Sequence, residues 1–382
     1  MQLRTLFSTS WNNSDAIAGY RAGVSLHSHT SVSEESLTFI HKIFDAIPAM
    51  KPVFAHYEKR SDARGFKLDF DRANWRPPLL PRMAFDLEAK QIHDLGLKAM
   101  VSITDHDSIE APMLLRTVAS ARRIPVSTEW SVPFGCTEFH LGIHNMPTAD
   151  GPAWMERFDA YRKAPSEEAL VTLLRDLDAE PAILTVLNHP IWDLYRVGEK
   201  NHLSELRRLM AVAGKYLHAI EINGLREARE NREAARLARE TGHLLISGGD
   251  RHSLEPNAVL NLTSARYFRD FVDEIRVEKR SHVLVMPQYS KPWHGRILQS
   301  TLDAVTDFPE FPTGWQRWDE RVFHPDRYGV MRRACDLWPD GKAPLPLRAA
   351  IGFVRLGRSD AFTRTFSFAF RGPNQMEEAD TI

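Results

Sequence analysis

The chain is poor in cysteine, in long apolar runs and in net charge, and each shortage removes a class of protein. Its 382 residues include only two cysteines, Cys136 and Cys335, with no C-x-x-C pair. That excludes a disulfide framework, and no cysteine cluster is available to hold a metal. No apolar stretch approaches the roughly 18–20 residues needed to cross a bilayer. Met1 to Tyr20 lacks the charged flank and apolar run of a secretory leader. A soluble cytoplasmic protein with no membrane partner is the expectation. Lys plus Arg number 49 against 50 for Asp plus Glu, a formal charge of −1. The whole chain therefore has no basic excess with which to wrap nucleic acid, and any such role needs a local patch. What it does have is apolar content, 43% hydrophobic beside 26% charged. That rules out low-hydrophobicity disorder and suffices for one large domain or two ordinary ones.

Short apolar or β-branched runs recur along the chain, each ending in a polar residue. They predict strands at Val24–His27, Ala99–Thr104, Ile124–Thr128, Phe139–Ile143, Ile183–Leu187, Ala219–Ile222 and Leu244–Ser247. Amphipathic stretches lie between them, at Ala84–Leu95, Glu110–Arg123, Glu167–Asp178, Leu203–Val212 and Arg226–Thr241, the last with Gly242 as its stop signal. This alternation argues for βαβ units and a parallel sheet, open or closed into a barrel. Two regions break the rhythm. From Phe44 to Arg82 runs a connection with eight basic residues (Lys51, Lys59, Arg60, Arg64, Lys67, Arg72, Arg76, Arg82) against five acidic ones, ending in Pro77, Pro78 and Pro81. Loops this long are functional or disordered. After about Gln288 the alternation stops, and the remainder holds Trp293, Trp315, Trp318 and Trp338 of the nine tryptophans, with Phe366, Phe368 and Phe370 spaced like one face of a strand. So much aromatic surface predicts a packed extension over 289–382, attached to a main body over 1–288.

The 16 histidines carry the functional signal. Histidines and carboxylates gather at the carboxyl ends of the predicted strands: His27-Ser28-His29, Asp105-His106-Asp107, Glu129, Asn188-His189-Pro190 and Asp250-Arg251-His252, with His140 near the fourth strand. In parallel α/β folds catalytic groups converge on that edge. Residues i and i+2 of an extended segment point the same way, so His27 and His29 can share an ion, as can Asp250 and His252. Imidazole nitrogen and carboxylate oxygen are the donors that first-row divalent metals prefer. The remaining histidines (His41, His56, His93, His202, His218, His243, His282, His294 and His324) are read as structural. So is His144, which shares a face with His140 but lies about 13 Å further along the strand. Arg251 should point away from its two neighbours by the same alternation.

Leu26-His27-Ser28-His29-Thr30 and Ile103-Thr104-Asp105-His106-Asp107, followed in order by a Glu, a His, Asn-His-Pro and Gly-Asp-Arg-His, resemble the PHP family (polymerase and histidinol phosphatase), in particular its stand-alone phosphoesterases. The resemblance spans roughly Gly23 to Ser253. It implies a distorted (β/α)7 barrel, here with a C-terminal extension, and a trinuclear site of Mn, Zn or Fe. It places a first ion on His27, His29, Glu129 and Asp250, and a second on Glu129, His140 and His189. A third falls to His106, His252 and the acid at the Asp position of the first motif, which here is Glu34. The alternative for Glu34 is the first turn of a following helix.

Two or three divalent ions would activate a water and clamp a phosphate, so the expected activity is phosphoester hydrolysis of a nucleotide, an oligonucleotide end or a phosphorylated metabolite, with no obligate protein partner. Asp105 is expected to orient a ligand histidine or relay a proton, and the basic connection to close over the substrate. The competing readings are an amidohydrolase-type metal hydrolase and a non-catalytic metal-binding module. Against the first, the central position is a Glu and no Lys lies at a central strand end. Against the second, the donor set is complete.

Overall fold

The computed structural model describes residues 4–10, 14–37, 69–291, 293–338 and 341–356, with the isolated positions Ala55 and Lys59. Most of the basic connection and the Phe366, Phe368 and Phe370 run lie outside these described residues. One five-stranded sheet contains β1 (Arg4–Thr9), β2 (Ala22–Ser25), β5 (Lys98–Val101), β11 (Val259–Thr263) and β12 (Arg280–Val285), in the order β1-β12-β11-β2-β5. A second has the order β10-β9-β8-β7-β6, from β6 (Val126–Phe134), β7 (Thr137–Met146), β8 (Leu184–Asn188), β9 (Ala219–Asn223) and β10 (Leu244–Gly248). A small third sheet joins β3 (Glu35–Ser36), β4 (Asn74–Trp75), β13 (Val322–Pro325) and β14 (Met331–Arg333).

Each strand expected from the sequence has a counterpart, but the uniformly parallel sheet does not. β8, β9 and β10 run parallel, as do β2 and β5, whereas β7 opposes both β6 and β8, and β11 opposes β2 and β12. The cause at β7 is local. Only Gly135 and Cys136 separate β6 from β7, and Gly135 adopts φ +60°, so the chain reverses in a hairpin where a crossover helix would otherwise be needed. Nor do the described residues form a closed barrel. The two large sheets meet at one end through two isolated parallel bridges, Ser28 with Arg251 and His106 with Glu129. Both bridges lie among the histidine motifs.

Packing sets which faces point to that end. In the β6–β7 hairpin Trp130, Val132, Phe134, Phe139, Leu141 and Ile143 face a core shared with Trp154, Phe158 and Tyr161 of α3 (Gly151–Lys163). The alternate residues Glu129 and Ser131, with His140 and His144, take the opposite face. In α4 (Glu167–Ala179) Leu170, Leu173, Leu174 and Leu177 are buried at helical spacing, and Ser166 caps the start by accepting the Ala169 N–H at 3.2 Å. α6 (Ala228–Thr241) stops at Gly242, which takes the left-handed conformation at φ 71°, as its sequence signal implies. α1 (Pro81–His93) and α5 (Glu199–Ala213) also match the amphipathic stretches. The Glu110–Arg123 pattern is shorter than expected, because α2 (Glu110–Leu115) gives way to an extended Val118 and one 3₁₀ turn. From the extension, Phe308 and Phe311 enter a core cluster with Leu79, Ile92, Val101 and Leu284.

His144 belongs to this framework. It is fully buried, one ring nitrogen is 2.9 Å from Ser102 Oγ, and burial pushes its pKa down to about 3. Below pH 6.5 the unfolded chain takes up a proton that the folded chain refuses, so stability falls as pH falls. Between pH 7.5 and 5.5 the wild type should lose about 1.4 kcal/mol more unfolding free energy than His144→Gln, measured by urea denaturation. Equal losses would contradict a neutral buried imidazole.

Candidate metal centre

The strand ends reach the site through strained backbone. β2 ends at Ser25, and His27 sits beyond it with φ 61°; His189 has φ 25° and Asp250 φ 53°. Left-handed geometry at a non-glycine residue costs about 1–3 kcal/mol and persists only where its surroundings enforce it. Here the enforcement is backbone pairing between the two motifs: Asp250 N–H donates to His27 O at 2.7 Å, and His29 N–H donates to Arg251 O at 2.8 Å. His27 and His29 therefore converge through a kink, not through the strand alternation expected of them. The paired glycines leave room for neighbours, since a Cβ at Gly248 would overlap the Glu221 carboxylate and one at Gly249 the Asn257 amide.

Glu129 is the centre of the arrangement. It is fully buried, and its two oxygens face different imidazoles. Oε2 lies 3.0 Å from His27 Nε2, 3.3 Å from His29 Nε2 and 3.5 Å from His106 Nε2. Oε1 lies 3.1 Å from His189 Nε2 and 3.4 Å from His140 Nδ1, and accepts the Asn188 side-chain N–H at 2.9 Å. Asp250 Oδ1 closes one side, 3.5 Å from His27 Nε2 and 3.6 Å from His29 Nε2.

The structure corrects the expectation for Glu34. Its side chain is 59% exposed and pairs with Arg76 at 2.7 Å, outside the cluster. The next residue, Glu35, is buried and turns inward, with Oε2 3.1 Å from His252 Nε2 and 3.4 Å from His106 Nε2, and Oε1 3.4 Å from His29 Nδ1. The helix suggested as the alternative for Glu34 is also absent here, since Glu35 and Ser36 form β3. The other eight metal-site residues named from the sequence are brought together: His27, His29, His106, Glu129, His140, His189, Asp250 and His252.

A further set of groups orients these donors. Glu221 faces His27 Nδ1 at 2.6 Å and accepts the His189 backbone N–H at 2.8 Å, aiming His27 Nε2 inward. His252 Nδ1 lies 2.9 Å from Asp250 O, which leaves its Nε2 for Glu35. Glu138 Oε1 lies 3.4 Å from His140 Nε2. Neither Glu221 nor Glu138 was named from the sequence. Glu221 carries the same signal as the rest, an acid near the end of a predicted strand. Asp105 acts on the chain beside the donors, accepting the Thr30 backbone N–H at 2.5 Å and its hydroxyl at 2.8 Å. Arg251 points away, as expected, into a buried ion pair with Glu88. Arg72 donates to Gly329 O and Arg76 pairs with Glu34, so these members of the basic connection are held by protein groups.

Burial opposes charge throughout the cluster, and the neighbours override it. Around His27 the carboxylates of Glu129, Glu221 and Asp250 outweigh burial and raise the pKa well above the usual imidazole value. In the same way His140 rises to about 10 beside Glu129, and His252 to about 9 beside Glu35. Against the same burial, the facing imidazoles hold Glu35, Glu129 and Asp250 well below the usual carboxylate range. His189, in which burial wins, falls to about 4, and burial lifts Asp105 to about 6. The pocket thus holds ionised carboxylates that draw positive charge to themselves.

These donors fit divalent cations. Metal–ligand bonds of about 2.0–2.2 Å set neighbouring donors roughly 3.0–3.6 Å apart, the spacing found around Glu129 and Glu35. His29 Nε2, His106 Nδ1 and His140 Nδ1 are buried without a hydrogen-bond partner. Four sets of three donors lie close enough to share an ion: His27, His189 and Glu221; His27, His29 and Glu129; His29, Glu35 and His252; His106, Glu129 and His140. Beside the cluster, Glu138, His140, Asn188, His189, Trp192 and Leu194 line a cleft. The Arg226 guanidinium stacks 3.6 Å from the Trp192 ring and lies 3.3 Å from Asp250 Oδ2, and its buried Nε has no hydrogen-bond partner.

No family model matches the chain. No curated protein matches it either. Among solved structures it is similar to an amidohydrolase from Chromobacterium violaceum solved with bound sulfate and no metal, at 17% identity and a TM-score of 0.32, covering 47% of this chain and 84% of that one. It is also similar to PsfC from Pseudomonas syringae PB-5123, at 14% identity and a TM-score of 0.39, covering 57% and 88%. A candidate metal-dependent phosphoesterase from Bifidobacterium adolescentis aligns at 16% identity and a TM-score of 0.31, covering 52% and 91%. All three TM-scores are below 0.5.

Proposed function

We propose that the chain is a metal-dependent hydrolase of phosphoesters, related to the PHP family that its motifs resemble. One observation carries the reading: a fully buried carboxylate, Glu129, whose two oxygens face separate groups of imidazoles, as a bridge between ions requires. His27, His29, Glu129 and Asp250 would hold one ion, and Glu129, His140 and His189 a second. His106, His252 and Glu35 would hold a third, with Glu35 in the place that the motif assigned to Glu34. Histidine with carboxylate suits Mn, Zn and Fe. Such ions lower the pKa of water to near neutrality and offset charge on phosphoryl oxygens.

The chain's own residues supply the rest. Glu221, Glu138 and the Asp250 carbonyl fix which ring nitrogen of their histidines faces inward. Asp105 holds the His29–Thr30 turn. Arg226 offers its Nε N–H to an anionic oxygen of the substrate, while Trp192 holds the guanidinium flat. The substrate is a small phosphorylated molecule or a nucleic-acid end, recognised by its phosphate.

The test is elemental analysis of the purified chain beside hydrolysis of p-nitrophenyl phosphate and its bis-ester. Turnover should vanish on chelation and return with Mn²⁺. His27→Ala and Asp250→Ala should each reduce kcat by about 100-fold or more; full turnover in either would refute the assignment. Hydrolysis of amides or lactones in place of phosphoesters would mark an amidohydrolase, and tight metal binding with no turnover a non-catalytic module. The adjacent acids give a sharper comparison. Glu35→Gln should lose bound metal and activity, whereas Glu34→Gln should stay within about twofold of wild type, its exposed ion pair contributing little. The reverse outcome would restore Glu34.

A further inference from the structure

We infer that the C-terminal extension is a structural part of the candidate metal centre: its strand β13 holds Glu35 in position, so the Glu35–His106–His252 subsite depends on the extension and the Glu129 subsites do not. This rests on the metal-binding reading above.

β3 and β4 have two residues each, too few to persist as an isolated pair. What completes them is β13. In register, Glu35 faces Trp75, and Trp75 faces Val322 on its other side. The strap is fastened beyond the ladder. Arg76 N–H donates to Arg321 O at 2.8 Å, and its guanidinium lies 4.8 Å over the Phe323 ring while pairing with Glu34, next to the donor. Trp315 Nε1–H donates to Pro78 O at 3.0 Å, and Asp69 N–H donates to His324 Nε2 at 2.8 Å. Arg321, 1% exposed, anchors the base of β13 by donating to the carbonyls of Ala304, Thr306, Trp315 and Gln316.

The extension also reaches His252, the second donor of this subsite. In α7 (Trp293–Ala304), Ser300 O accepts from Ser253 Oγ at 3.2 Å, and Asp303 Oδ2 accepts the Leu254 N–H at 3.3 Å. Trp75, between β3 and β13, lies 6.1 Å from the His252 ring. Glu129, His140 and His189, by contrast, stand on or directly after β6, β7 and β8, in a sheet built from residues between Val126 and Gly248. Glu35, alone among these side chains, stands on the small sheet, which is completed only when β3 and β4 meet β13 of the extension. Phe323 is a positioning residue in this scheme.

The test is titration of the metal-free full chain with Mn²⁺, with elemental analysis of the loaded protein, for wild type, Glu35→Gln, Phe323→Pro, Phe323→Ala and Phe323→Tyr. Phe323→Pro should bind one ion fewer, or bind its weakest ion at least about tenfold more weakly, with the other affinities unchanged, and so match Glu35→Gln. Phe323→Ala should shift the same ion by a smaller factor, and Phe323→Tyr, which keeps a ring under Arg76, should restore it. If Phe323→Pro does not fold, Phe323→Ala decides on the same criterion. Wild-type stoichiometry and affinities in the folded Phe323 variants, with an ion lost in Glu35→Gln, would overturn the inference. So would equal weakening of every ion, which marks a general loss of structure. Retention of all ions by Glu35→Gln would instead sink the subsite assignment itself, and the inference with it.

Discussion

A buried carboxylate with no solvent around it must be surrounded by positive charge, and the rest of this structure is organised around meeting that demand at Glu129. Its oxygens face five imidazoles delivered by segments from across the sequence. Its backbone does related work: Asp107 N–H donates to Glu129 O at 2.9 Å, and Glu129 N–H donates to Asp105 O at 3.3 Å. This is one of the two bridges that join the large sheets. Fold closure and donor convergence are therefore the same event. A chain that failed to bring His106 beside Glu129 would also lose one of the two bridges at that end. Removing the charge, in turn, would leave imidazoles facing one another, with like charges to be relieved by losing protons.

The left-handed residues follow from this constraint. An extended strand places alternate residues about 6–7 Å apart on one face, and here the chain also turns sharply just past the strand ends, which aims the side chains at the Glu129 carboxylate. His27 and Asp250 do so, and each turn lies against the other through the backbone hydrogen bonds between their motifs. Behind them is a buried polar network: Glu88 accepts from Ser25 Oγ at 2.7 Å and from Asn257 Nδ2 at 2.6 Å, and it pairs with Arg251. Arg251 sits between two donors in sequence, yet its charge is spent on holding the shape of the turn. A buried network of hydrogen bonds and an ion pair restricts these turns, and rigidity is what strained backbone requires.

Much of this was legible in the sequence because strand ends are local features. An apolar run bounded by His or Asp reads the same whether its strand runs parallel or antiparallel, so eight of the side chains named from the sequence do lie together although β7 runs antiparallel. What failed was whatever depends on pairing partners. Glu34 and Glu35 are chemically equivalent neighbours, and only the register of β3 against β4 decides which side chain turns inward. Glu221 was passed over because it lies inside an apolar run, flanked by Ile220 and Ile222, both buried in the core. β1, β11 and β12 were missed for the same reason: their stability comes from one another, and no local period announces it.

The two parts of the centre differ in how firmly they are held. The Glu129 side rests on strands of nine and ten residues, whose Trp130, Val132, Phe134, Phe139, Leu141 and Ile143 are each at most 3% exposed. The Glu35 side rests on strands of two residues, Glu-Ser and Asn-Trp, which bring no aliphatic side chain to a core. Local opening costs least where buried apolar contact is sparse, so the Glu35 side is the one that opens first. Its donors come from the first motif, from the segment after β5 and from the loop after β10, with support from the extension. A centre built this way has a fixed floor, the long β6–β7 hairpin that carries Glu129, and a yielding wall on the short strands that carry Glu35.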